Sequence, residues 1–128
     1  MKNYKLANVS NIVFVYPIII AILGGIYVGA ILNIGLLISS FYYHNSFEKK
    51  YLRFDMVFSY LCIFYNLYLC YLFKFNPIPF GTALVFLIIA LYTYYNGVKS
   101  KYQIYHLIWH LSSAIITTCC FIGYLLYR

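Results

Sequence analysis

Charged residues interrupt the chain at only a few places, and long apolar runs fill the intervals. From Leu6 to Tyr43 there are 38 residues without a charge. As one helix that run would extend about 57 Å, against a hydrocarbon core about 30 Å thick. Gly24-Gly25 lies at its middle, a natural place for a tight turn. The run is therefore read as two spans, Leu6–Leu23 and Ile26–His44, with Pro17 kinking the first. After Glu48, Lys49, Lys50 and Arg53, a third span runs from Phe54 to Phe73 and ends at Lys74 and Asn76-Pro77-Ile78-Pro79. A fourth covers Phe80–Tyr95 and closes at Asn96-Gly97. Lys99, Ser100 and Lys101 form the next loop, and a fifth span runs from Tyr102 to Tyr127 with Arg128 as its anchor. The pattern predicts an all-α, polytopic transmembrane helix bundle of about five helices, four if the first two are one. It forms a single multi-pass membrane domain over residues 1–128.

Composition excludes the other classes. The chain is 65% hydrophobic and 9% charged, whereas soluble domains average about 45–50% apolar and about 25% charged residues. A mean hydropathy of +0.83 also excludes a disordered chain. Many of the 17 Tyr and 11 Phe lie near the ends of apolar runs, as interfacial belts require.

The net charge of +7 changes the picture only through its placement. In a soluble protein it would point to nucleic acid. Here the basic residues occupy short gaps between spans, with no basic stripe or stacking platform, and no nucleic-acid partner is expected. Five spans put Lys2, Lys5, Lys49, Lys50, Arg53, Lys99 and Lys101 on one side, and Lys74 and Arg128 on the other. The positive-inside bias then makes the amino-terminal side cytoplasmic. A single long first helix would weaken the asymmetry, so charge favours the hairpin. The first run is too long for a signal h-region and lacks an A-x-A-like cleavage site. Cys62, Cys70, Cys119 and Cys120 lie inside apolar runs without a CxxC, where a thiol behaves as a small hydrophobe. Neither a structural disulfide nor a cysteine metal site is expected.

The ionisable residues within or beside the spans carry the candidate chemistry. His44 ends the second span, Asp55 opens the third, and His106 and His110 lie in the first two turns of the fifth. All four fall on the amino-terminal side. Ionisable groups at membrane depth are costly and usually face the bundle interior with a partner. His106 and His110 form an HxxxH, whose i,i+4 spacing puts both imidazoles on one helix face. His44 would complete the three-nitrogen set of a catalytic zinc with an open fourth position. Ser40, one turn before His44, shares its face, and Asp55 follows across the loop.

Each residue has a plainer reading. The HxxxH fits an aromatic belt with Tyr102, Tyr105 and Trp109, and His44 fits a helix-end interface. Ser40 fits a packing hydroxyl, and Asp55 a helix cap. Those separate readings do not explain why every histidine joins the one intramembrane acid on one side.

The set resembles the CREST superfamily, which includes alkaline ceramidases, progestin and adipoQ receptors and hemolysin-III-type proteins. Ile38-Ser39-Ser40-Phe41-Tyr42-Tyr43-His44 is similar to its second-helix motif, and Tyr105-His106-Leu107-Ile108-Trp109-His110-Leu111 to its last-helix motif. The resemblance covers roughly residues 11–73 and 102–127. It implies Zn2+ held by His44, His106 and His110, with catalytic Asp55 and Ser40 beside the reacting water. It also implies hydrolysis of a membrane-lipid amide. The family pattern has seven helices; removing one hairpin between the Asp-bearing and last helices preserves the side each motif faces. Met1–Val9 has no acid, so it lacks ligands for the calcium that some ceramidases hold there.

The leading expectation is thus a zinc-dependent intramembrane hydrolase of a lipid amide or ester. A non-enzymatic, receptor-like or membrane-remodelling protein with a structural zinc is the alternative, favoured by the reduced helix count. Haem ligation by two histidines would leave Asp55 and Ser40 unexplained. A channel is disfavoured because the linear pattern shows no polar stripe through the bilayer centre. A second copy of the chain is a candidate for completing a thin-walled pocket.

Overall fold

The computed structural model describes residues 5–97 and 102–128; Lys2, Lys99 and Lys101 lie outside them. Helix α1 (Lys5–Ser10) passes through a 3-10 turn (Asn11–Phe14) into α2 (Val15–Leu23). Then follow α3 (Tyr27–Ser46), α4 (Lys49–Leu72), α5 (Pro77–Gly97) and α6 (Tyr102–Tyr127). Among the described residues there is no strand, so the fold is an all-α helical bundle. Helices α4, α5 and α6 are each long and apolar enough to cross a membrane, which fits an integral membrane protein. The broken first helix is shorter, and α3 turns Asn33, Ser39, Ser40 and His44 to a buried face.

The long uncharged run is divided at Gly24-Gly25. Gly25 adopts φ +72°, a left-handed conformation that costs glycine little. The break in the first helix fits Pro17, which cannot donate to the Val13 carbonyl one turn back and crowds it.

Two boundaries differ from the sequence reading. Helix α4 starts at Lys49, so the Lys49–Arg53 patch is helical and Asp55 lies in the second turn instead of opening the element. Hydropathy marks where the bilayer begins, whereas Lys and Arg are good helix formers that carry the helix past it. Pro77 and Pro79 likewise begin α5 and do not merely end α4. The first turn tolerates proline because its N–H groups lack intrahelical acceptors, and Asn76 Oδ1 accepts from the Ile78 N–H at 3.2 Å.

Helix α6 is central, packing on α5, α4, α2 and α1. Near Gly24-Gly25, Ala21, Ile26, Leu69, Phe73 and Phe121 form one apolar cluster; Phe14, Leu36, Cys62 and Ala114 form a second. Although consecutive, α4 and α5 do not pack along their lengths. The gap opens onto a cavity of about 320 Å³ between α4, α5 and α6.

Candidate metal centre

The three histidines meet at one end of the bundle. His44 comes from the last turn of α3, and His106 and His110 from the early turns of α6. The i,i+4 spacing places the two α6 rings 4.2 Å apart between centroids, and the His44 ring sits 4.6 Å from His106 and 5.7 Å from His110. His44 Nε2 and His106 Nε2 are separated by 2.9 Å. One ligand nitrogen from each residue lies within 4.8 Å of the others. Tetrahedral zinc with Zn–N bonds of 2.0–2.1 Å needs nitrogens roughly 3.4 Å apart, so the spacing brackets a metal ion. At 2.9 Å the two Nε2 atoms share a proton as a hydrogen bond when no ion is bound, and with the neighbouring His110 ring they can instead turn their lone pairs to one cation. The group can hold a metal ion.

A shell from the first helix supports it. Ser10 Oγ lies 2.6 Å from His110 Nδ1, which leaves the Nε2 of that ring for the cluster. The next residue, Asn11, accepts the Ser40 hydroxyl proton on Oδ1 at 2.9 Å. Asn8 donates to Asn45 Oδ1 at 2.6 Å. Successive residues of a regular α-helix diverge by about 100°. The 3-10 turn that begins at Asn11 is where Ser10 and Asn11 both face inward, and both are buried. Tyr102 stacks on His106, and Phe14 meets His110 edge-on.

Asp55 and Ser40 stand beside the imidazole group, outside its set of ligand atoms. Both line the cavity that His106 and His110 also line. Asp55 faces the Ser39 hydroxyl, which donates to the Leu36 carbonyl, and its Oδ1 is buried with no hydrogen-bond partner among the described residues. His44 Nδ1 is in the same condition.

The structure adds residues that the linear reading passed over. Ser10 and Asn11 were not singled out, because nothing local marks them. A stripe of small polar residues was legible but missed. Asp55, Ser59, Cys62, Asn66 and Cys70 recur at three- and four-residue intervals along α4, and Ser113, Thr117 and Cys120 continue the histidine face of α6. All line the cavity, and Asn66 donates to Thr117 Oγ1 across it at 3.0 Å. The bundle interior therefore carries a polar track after all. Phe73, at 1% exposure against Gly123, packs over its far end.

Comparisons with family models, curated proteins and solved structures find no match.

Proposed function

We propose that the chain is a zinc-dependent intramembrane hydrolase of a lipid amide or ester, a shortened relative of the CREST proteins. One observation carries this reading: two of the three clustered histidines, His106 and His110, line a largely apolar cavity together with a carboxylate and a hydroxyl. Zinc held there supplies Lewis acidity toward water and a carbonyl. Asp55, with an unpartnered buried oxygen, accepts the proton of the attacking water and returns it to the leaving group. Ser40 hydrogen-bonds the developing oxyanion once its hydroxyl turns from Asn11. Phe80, Leu84 and Leu87 on α5 and Ile63 and Leu67 on α4 offer an acyl chain apolar walls, and the gap between these helices admits it from the bilayer.

Lys49, Lys50 and Arg53 stand at the histidine end, and Lys74 and Arg128 at the other. By the positive-inside bias the site faces the cytoplasm.

A structural-zinc reading draws on a specific contact, the Ser40 hydroxyl already committed to Asn11. One experiment separates the two. Detergent-purified protein is analysed for metal and incubated with acyl-amide and acyl-ester lipids, with Asp55→Ala alongside. About one zinc per chain with Asp55-dependent fatty-acid release is the expected result. Zinc without release across a broad lipid panel favours the structural role, and no zinc overturns both.

A further inference from the structure

At the far end of the polar track two thiols touch. Cys70, in the last turn of α4, and Cys120, on α6, bring their Sγ atoms to 3.6 Å. Both are buried among Leu69, Phe73 and Phe121, and both line the cavity. Cys120 lies ten residues beyond His110, about 15 Å along the helix, so the pair is separate from the imidazole group. Cys62 is two turns back along α4, and Cys119 does not line the cavity.

We propose that Cys70 and Cys120 form a reversible dithiol–disulfide couple, oxidised by a hydroperoxide that enters the cavity. An S–S bond of about 2.05 Å asks the two sulfurs to close a gap already within van der Waals range. The product is neutral, which the apolar surroundings favour. In the first step a thiol sulfur attacks the peroxide, the O–O bond breaks, an S–O bond forms, and the alkoxide takes the thiol proton and leaves as an alcohol. The second thiol then displaces water from the sulfenic acid and the S–S bond forms. Two thiols and one hydroperoxide give one disulfide, one alcohol and one water, with the thiols oxidised and the peroxide reduced.

The fold gives the bond a consequence. Helix α4 is held by α3 and α6 but not along α5, so a covalent tie to α6 at the closed end of the cavity limits how far the α4–α5 gap widens. On the orientation argued above, this end faces away from the cytoplasm, where disulfides persist.

The full chain in lipid nanodiscs is treated with tert-butyl hydroperoxide, denatured, alkylated with a maleimide and weighed intact. Untreated protein takes a label on each of its four free cysteines. After oxidation, two labels are expected to disappear, to return with dithiothreitol, and to map to a Cys70–Cys120 cross-link. Cys120→Ser should abolish the loss, with Cys70→Ala as a second variant should the first elute as an aggregate. Full labelling after oxidation, a cross-link at another pair, or sulfinic acid without a cross-link would each overturn the proposal. None of these outcomes depends on zinc or on hydrolysis.

Discussion

Ser10 and His110, one hundred residues apart, meet at 2.6 Å between a hydroxyl oxygen and Nδ1. This contact fixes the plane of an imidazole that otherwise has only packing to orient it. A hydrogen bond to the outer nitrogen of a ligating histidine sets its tautomer and raises its basicity, and losing one costs roughly 10–100-fold in metal affinity. Ser10→Ala is therefore expected to lower metal affinity by about that factor while the protein stays folded. Ser10→Thr, which keeps the hydroxyl, should restore most of it. Competition against a chromophoric chelator measures both.

Removing an imidazole should act more severely. His110→Ala leaves two nitrogens, and metal content after dialysis should fall from about one per chain to near zero. Acid should do the same reversibly. Only neutral imidazole offers a lone pair, so protons compete with the metal and retention declines as pH is lowered. Metal content that is indifferent to both His110 and pH would exclude the cluster as its binding site.

The hairpin at Gly24-Gly25 and the shared face of His106 and His110 were legible from simple length and periodicity, and His44 joined them because the alternation of spans puts all three on one side. An uncharged run twice the bilayer thickness must turn, and i,i+4 imidazoles must share a face. The start of α4 was not legible, since charge and helix formation are independent signals at Lys49–Arg53. Ser10 and Asn11 were hidden for a different reason. Their inward direction depends on a local 3-10 turn and on what lies across it, and neither is a property of their own neighbourhood in sequence. The Cys70–Cys120 contact is tertiary in the same sense.

Two glycines should respond oppositely to one methyl group. A Cβ on Gly29 would stand 2.7 Å from the Phe121 ring, which is fully buried and has nowhere to retreat. Gly29→Ala should cost about 1–3 kcal/mol. A Cβ on Gly81 in α5 meets nothing within 4 Å, and the same change there should stabilise by about 0.5–1 kcal/mol through helix propensity. Thermal unfolding in one detergent, both variants against the parent, gives the comparison.

The cavity can be filled without touching the imidazoles. Ala83 is buried on the α5 wall, facing the polar track that Asp55 begins on α4. A phenylalanine there would occupy part of the 320 Å³ space and narrow it between α4 and α5, and the unpacked α4–α5 seam would let the bundle accommodate the ring. Metal content should be unchanged, because no histidine moves. On the proposed hydrolase reading, release of long acyl chains should fall by at least tenfold, while a short-chain substrate that needs only the histidine end should be cleaved at nearly the parental rate. The ratio of the two rates isolates the cavity from the metal centre. Equal losses on both substrates would show that Ala83→Phe had disturbed the site itself, and no loss on either would show that the acyl chain lies elsewhere.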